Sequence, residues 1–145
     1  FFPIELETHN HIGINLIPVD YFIRAFWALY HNNNNKRIYH IVNPTSTSPE
    51  LLIDHIGRYF HLTGITIRRD LMKPENHRNA MEHLFYSYLG AYHSYLLDGR
   101  QFDTSHAAPV LEASGVRCPD LDYPVFKRIM DYAMETNWGK DIFPV

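Results

Sequence analysis

The sequence has little of what marks several large classes of protein. It carries one cysteine in 145 residues, so it holds no internal disulfide framework and no pair of metal-binding thiolates. Its 13 basic and 16 acidic side chains give a formal charge of -3, without a basic surplus to neutralise phosphates. No apolar run approaches the roughly 18 residues that cross a bilayer. We expect no nucleic-acid partner, no membrane span and a cytoplasmic location, with Cys118 as a buried or incidental thiol.

The sequence also lacks a self-contained site for hydride transfer. It has no glycine-rich phosphate loop of the GxGxxG or GxxxxGK type, which a nucleotide on an open sheet needs for close backbone approach. We therefore assign no catalytic and no cofactor-binding residue to this chain.

Ten histidines raise the question of a metal site. Two groups come nearest to a ligand set: Glu5, Glu7, His9 and His11 in an extended segment, and His77 and His83 on a predicted helix. Neither has the HExxH or HxxxH spacing that places two imidazoles on one helix face. We predict no metal site, and we interpret His40 and His55 as packing residues.

The first half of the chain carries both strand and helix patterns. Residues Gly13 to Ile17 and Arg37 to Val42 are predicted as short strands, separated by a helix after Pro18 and by the turn-forming Asn32 to Asn35. The helix has one apolar stripe, which we expect to be buried: Val19, Phe22, Ile23, Phe26, Trp27 and Tyr30.

A second strand and helix pattern follows. Ser48, Pro49 and Glu50 form a strong helix start, because they combine a capping hydroxyl, a fixed φ and an acidic side chain near the positive end of the dipole. Gly64 is predicted to end this helix, and Ile65 to Arg68 alternate as a short strand. The order of strand, helix and strand is typical of a βαβ unit.

From Pro74 onward the pattern is helical. A long helix is predicted over about Glu75 to Leu97, a shorter one over Ser105 to Ala113 closed by Gly115, and a last one from Asp122. The inward residues of the last helix are predicted to be Phe126, Ile129, Met130 and Ala133. The long helix has a broad apolar face, interpreted mainly as core and in part as the border of a substrate tunnel: Met81, Leu84, Phe85, Tyr88, Leu89, Tyr92, Tyr95 and Leu96.

Composition and length fit one globular domain. Hydrophobic residues make up 46% and charged residues 20%, and 145 residues suffice for one hydrophobic core. We predict a single domain over residues 1–145, mixed α/β over 1–73 and helical over 74–145. The fold class is α/β and mainly helical, with a small partial β-sheet and a C-terminal helical cap.

Three segments resemble a known family. Residues 14–21 and 39–44 read INLIPVDY and YHIVNP, and residues 88–105 carry Tyr92, Tyr95, Gly99 and the turn FDTS. They are similar to the late part of extended short-chain dehydrogenase/reductases of the fatty acyl-CoA reductase, male-sterility and thioester reductase type. Cys118-Pro119 and the terminal helix continue the similarity, which covers about Gly13 to Gly139. The fold it implies is the late part of a Rossmann-like reductase.

The resemblance implies a longer enzyme that uses NADPH to reduce an acyl thioester, on coenzyme A or a carrier protein, to an aldehyde or alcohol. The family's glycine-rich loop and Tyr-x-x-x-Lys pair would lie before Phe1, in a nucleotide-binding half of roughly 200 to 250 residues. The start on Phe1 without Met also suggests a cut inside a longer protein. This chain would supply the substrate-facing part and bind its own nucleotide-binding domain. No cofactor is expected in this chain itself.

The candidate substrate-facing residues are Asn43, Thr45, Ser46, Tyr88 and Tyr92. The loop of residues 43–48 is expected at the mouth of the active-site cleft, and Asp20 is expected to cap or orient its strand-to-helix corner rather than act as an acid or base. Two alternatives stay open: a noncatalytic acyl- or protein-binding module, and the substrate domain of a sugar-nucleotide epimerase or dehydratase. The FDTS turn and helical tail argue against the second.

Overall fold

Two short strands and five α-helices make up the regular structure of the described residues, which are 1–9, 13–32, 38–69, 72 and 74–140 of a computed structural model. The strands are β1 (Ile4–Thr8) and β2 (Ile65–Arg69), and 3₁₀ turns cover Glu75–His77 and Asn137–Gly139. The helices are α1 (Val19–His31), α2 (Pro49–Phe60), α3 (Ala80–Leu96), α4 (Ala108–Ala113) and α5 (Tyr123–Glu135). The predicted class is confirmed: the fold is mixed α/β, about half helical, with a small parallel sheet and a helical C-terminal part.

The sheet joins the start of the chain to its middle. β1 and β2 run parallel, in a register that pairs Ile4 with Ile65 and Thr8 with Arg69. The connection between them passes through α1 and α2, as a parallel pair requires a long crossover. Strand β2 was predicted from the sequence and β1 was not, although Ile4, Glu5, Leu6 and Glu7 alternate between apolar and acidic side chains as a strand does.

Helix α1 begins where it was predicted but buries the opposite face. Tyr21, Ala25 and Leu29 form a core cluster with Ala107 and Leu111 of the α4 region. The predicted stripe is exposed instead, at 43% for its least exposed member and 73% for its most. The small Ala25 and Ala107 side chains let the α1 and α4 backbones approach closely, which the bulky stripe does not.

Helix α2 confirms its predicted start and corrects its predicted end. The Ser48 hydroxyl accepts a hydrogen bond from the Leu51 N–H at 3.2 Å, and Pro49 opens the first turn. The helix ends at Phe60 with His61 in the left-handed conformation, at φ 54°. Gly64 instead lies directly before β2. Its φ is +97°, and an added Cβ would lie 3.0 Å or less from the Phe1 ring.

The two strands predicted beside α1 are not formed. Of residues Gly13 to Ile17, only Ile14 makes a bridge, an antiparallel one to Thr47. Ile38 to Val42 is irregular, and Arg37 lies outside the described residues, as does most of the predicted asparagine turn. An extended segment needs a neighbour to complete its hydrogen-bond ladder, and among the described residues none lies beside Ile38 to Val42.

Helix α3 begins later than predicted and presents a polar face to β1. Asn79 and Glu82 form a reciprocal capping box, so the helix begins at Ala80 and a 3₁₀ turn occupies Glu75–His77. Among the described side chains of α3, Glu82 and Tyr86 are buried, and the predicted tyrosine face is largely exposed. The residue type that anchors this helix is therefore polar, which an apolar periodicity does not reveal.

Helix α5 begins as predicted, whereas α4 begins at Ala108, three residues after its predicted start at Ser105, and ends at Ala113 as predicted. Gly115 takes a φ of +67° directly after α4. The Asp122 carboxylate caps α5 by accepting from the Val125 N–H at 2.9 Å, and Phe126 is buried against α2. Ile129 departs from the expectation, since it is 40% exposed.

Candidate functional site

A cavity formed by described residues lies between α1, the segment 40–44, α4 and the segment 116–118. Its volume is about 290 Å³. Six of its lining residues are apolar and come from three of these segments: Val42, Pro44, Ala107, Ala108, Leu111 and Val116. The site is thus a half-enclosed apolar pocket, which we call the α1–α4 cavity.

Tyr21 forms the wall of the α1–α4 cavity from helix α1. The residue is 3% exposed, and its hydroxyl donates to the Val42 carbonyl at 3.4 Å. Burial, and then the nearby Cys118, raises the pKa of this phenol. Tyr21 is therefore a neutral hydrogen-bond donor whose proton is already used within the fold.

The FDTS turn fixes the polar end of the α1–α4 cavity. The Asp103 carboxylate accepts from the Ser105 N–H at 2.8 Å, and this hydrogen bond is the main cause of its lowered pKa. The Asp103 carbonyl lies 2.8 Å from His40 Nδ1, and Phe102 packs edge-on against the imidazole. A carbonyl only accepts, so the bond places a proton on Nδ1. His40 is a hydrogen-bonded packing residue, as predicted.

Cys118 lines the same cavity as an inert thiol. Burial, followed by Asp120 and Asp20, raises the pKa of its thiol to about 11. A thiol that stays protonated near neutral pH is a poor nucleophile. The interpretation as a half-buried structural thiol is consistent with this environment.

The predicted substrate-facing residues do not gather in one place. Asn43 is buried, and its side chain donates to the Leu16 carbonyl and accepts from the Thr45 N–H. The Asn15 side chain donates to the Asn43 carbonyl and accepts from the Asn43 N–H, so both asparagines hold the loop in place. Pro44, the next residue, does line the cavity.

The other four predicted residues are exposed. Thr45 and Ser46 lie on the loop next to the cavity, whereas Tyr88 and Tyr92 lie on α3, which packs against β1. The sequence did not identify Tyr21, Ala107 and Leu111 as cavity residues, because such side chains within helical patterns indicate only core packing.

Asp20 does not cap helix α1. Pro18 occupies the N-cap position without a side-chain hydrogen bond, and the exposed Asp20 carboxylate pairs with Arg24 at 3.2 Å. A carboxylate in the first turn still interacts favourably with the helix dipole. The expectation of a cap is therefore wrong, and Asp20 acts on the helix only through its charge.

One Tyr-x-x-x-Lys spacing occurs in the chain, at Tyr123 and Lys127 on α5. Lys127 Nζ is bound to the Asp131 carboxylate at 2.6 Å, which raises its pKa. The Tyr123 ring instead lies under the Arg58 guanidinium, 3.7 Å from its centroid. The contact between Tyr123 and Arg58 joins α5 to α2, whereas Lys127 and Asp131 pair within α5, so both residues of this spacing have structural partners.

The acidic and histidine-rich segments are also accounted for by packing. Glu5 pairs with Arg68 at 3.0 Å and Glu7 with Arg78, while His11 lies outside the described residues. Within the described part of the chain, no three His, Cys, Asp or Glu side chains are grouped to hold a metal ion, and no helix is long and apolar enough to cross a membrane.

Fold and cavity together define a partial Rossmann-like α/β unit with a helical C-terminal part. No family model matches the sequence, and no curated protein matches it either. Among solved structures, it is similar to the terminal R domain from the myxalamid PKS-NRPS biosynthetic pathway, with 16% identity and a TM-score of 0.61. The match covers 90% of this chain and 35% of that one, so this chain spans about a third of the matched chain's length. At this identity the likeness shows a shared fold.

Proposed function

We propose that this chain is the substrate-side part of an NAD(P)H-dependent reductase that acts on acyl thioesters. The observation that carries the proposal is helix α1, which is apolar on both faces, in a fold that matches part of a terminal reductase domain. The catalytic and cofactor residues are assigned to a nucleotide-binding half of the same polypeptide.

The two faces of α1 differ in what covers them. Tyr21, Ala25 and Leu29 pack into the core, whereas the opposite face exposes six apolar or aromatic side chains. Three rings on that face form a stacked series, with Phe26 6.3 Å from both Phe22 and Tyr30. A helix that is apolar all round is typically buried on all sides, and a large exposed apolar patch marks an interaction surface.

The segment Ile38 to Val42 supports the same arrangement. Tyr39 and Ile41 pack against the core cluster, while Ile38 is 78% exposed. This alternation is that of a strand, and among the described residues no strand pairs with it. We propose that both this segment and the exposed face of α1 pack on the sheet of the nucleotide-binding half.

The residues of this chain do not fit a nicotinamide dinucleotide. No glycine-rich turn follows either strand in the sequence, and two polar groups of the α1–α4 cavity, the Tyr21 hydroxyl and His40 Nδ1, are engaged within the fold. NADPH therefore belongs to the other half in this proposal, and no chemical step is assigned to residues here. Asn43, Thr45, Ser46, Tyr88 and Tyr92 stay predicted substrate-facing residues.

A coexpression experiment tests the proposal. The gene segment upstream of this chain is expressed alone, together with this chain, and fused to it, and NADPH oxidation is followed with an acyl-coenzyme A. We expect turnover only when both parts are present, and no heat of NADPH binding from this chain alone in calorimetry. Tight NADPH binding by this chain alone, or an upstream segment without a glycine-rich turn and a Tyr-x-x-x-Lys pair, would overturn it.

A noncatalytic acyl-binding module is the second candidate, and the preformed α1–α4 cavity favours it. The same experiment separates the two. A module binds an acyl ligand without turnover in every combination, whereas the reductase oxidises NADPH once the halves are joined.

A further inference from the structure

We propose that the α1–α4 cavity is the acyl-chain pocket and that it accepts a straight chain of no more than about ten carbons. The identity of the ligand rests on the proposed function, whereas the size limit rests on the cavity itself. The pocket therefore lies between α1 and α4, and not at the tyrosine face of α3, which the sequence predicted to border a substrate tunnel in part.

The chemistry of the wall selects an apolar ligand. The Tyr21 hydroxyl is engaged by the Val42 carbonyl and His40 Nδ1 by the Asp103 carbonyl, so neither of these protons is free for a ligand. A sugar or nucleotide needs several convergent polar groups, because each unmatched hydroxyl costs its desolvation. An alkyl chain needs none, and Val42, Leu111 and Val116 offer the apolar contacts.

The position of the charged groups gives the chain a direction. Glu112 and Arg117 line the cavity and are exposed, whereas Ala107 and Leu111 are buried. A bound acyl group therefore places its methyl end against α1 and α4 and its polar head toward the exposed side. A thioester needs this direction, because its reacting carbonyl has to stay accessible.

The volume sets the length limit. A cavity of about 290 Å³ holds at most about ten groups of methylene size, if each takes roughly the 30 Å³ that a water molecule occupies in the liquid. The wall that faces α1 belongs to the core cluster, so lengthening the cavity there would require the core to repack.

Binding of saturated fatty acids to this chain tests the proposal. Calorimetry with hexanoate, octanoate, decanoate and dodecanoate is expected to show about fourfold tighter binding per added methylene up to about ten carbons, then no further gain. Affinity that keeps rising through dodecanoate, or no binding of any of the four, would overturn it.

Matched variants locate the ligand. Ala108→Phe fills the cavity from α4 and is expected to weaken decanoate binding at least tenfold, whereas Ala113→Phe, exposed on the same helix outside the cavity, leaves it within twofold. Because Ala108→Phe can disturb folding, Val42→Ala provides a second variant, which enlarges the cavity and is expected to move the length limit upward by one or two carbons. Equal effects of the two phenylalanine variants, or an unmoved limit in Val42→Ala, would place the ligand elsewhere.

The two proposals fail in different ways. If the joined halves reduce acyl thioesters but Ala108→Phe does not change their chain-length preference, the pocket assignment is wrong and the reductase stands. If fatty acids bind as expected but no combination oxidises NADPH, the pocket stands and the reductase is wrong.

Discussion

Arg78 Nη2 lies 3.1 Å from both carboxylate oxygens of Glu7, and this ion pair ties the first strand to the start of α3. The Glu7 side chain is 2% exposed and that of Arg78 14%. The guanidinium also stacks 4.0 Å from the centroid of the Tyr86 ring. The contact joins residues 71 positions apart, so it contributes to tertiary structure rather than to a local turn.

Replacing Arg78 by Met is expected to destabilise the chain by about 3–5 kcal/mol, because it breaks the buried ion pair and removes the Arg78 charge from the Glu7 carboxylate. Urea unfolding followed by circular dichroism measures the loss. Arg24→Met is the matched control: its pair with Asp20 is exposed on both sides, and the loss should stay within about 0.5 kcal/mol.

The double variant Glu7→Leu with Arg78→Met separates a buried charge from a lost contact. Removing both charges is expected to cost less than removing Arg78 alone, since the buried Glu7 carboxylate is then removed together with its partner. If the double variant is less stable than Arg78→Met, the loss comes from the missing contacts of the two side chains and not from the Glu7 charge that Arg78→Met leaves behind.

The Tyr86 hydroxyl makes two hydrogen bonds to the backbone of β1. It donates to the Glu5 carbonyl at 2.9 Å and accepts from the Glu7 N–H at 3.0 Å. Tyr86→Phe leaves both backbone groups without these bonds, and we expect a loss of about 1–3 kcal/mol. Tyr88→Phe, on the exposed face of the same helix, should be neutral in the same urea titration. Similar losses in the two variants would contradict the role assigned to the hydroxyl.

The starts of α1, α2 and α5 were predictable from the sequence, whereas the buried faces of α1 and α3 were not. Ser48 and Asp122 mark helix starts through local chemistry that a few neighbouring residues decide. Which face of α1 or α3 is buried depends on what lies opposite, and α1 packs with the face that is turned toward α4. The α1–α4 cavity was missed for the same reason: Tyr21 and Ala107 lie 86 positions apart, and no local pattern brings them together.

Cys118 predicts a specific loss of stability in alkali. Its pKa is raised to about 11 in the folded chain, against 9.0 as the ordinary value. Below pH about 9 the thiol is protonated in both states, and its contribution is fully present. Between about 9 and 11 the unfolded thiol ionises while the folded one keeps its proton, so stability falls as pH rises. Urea titrations of the parent chain and Cys118→Ala across this range check it.

The comparison with Cys118→Ala is necessary because tyrosines also contribute. Burial raises the pKa of Tyr21 and Tyr86, and their effect begins at pH about 10 in both proteins. Only the difference between the two proteins reports the thiol. If the difference in unfolding free energy between the two proteins stays constant from neutral pH to about 11, the folded thiol titrates normally. Thiolate absorbance of the folded chain that rises at pH about 9 would show the same.

Substitutions on the two faces of α1 test whether one face awaits a partner. Leu29→Ala is expected to destabilise this chain by about 2–4 kcal/mol, because Leu29 is 5% exposed and packs with Tyr21 and Leu111. Phe26→Ala should cost less than about 1 kcal/mol, since Phe26 is 53% exposed and alanine favours the helix. When both halves are present, Phe26→Ala is expected to have the stronger effect, because it should weaken the association of the halves by at least tenfold. Equal losses from both variants in this chain alone would show that the aromatic face is already covered, and sedimentation at several concentrations would then identify a second copy as its cover.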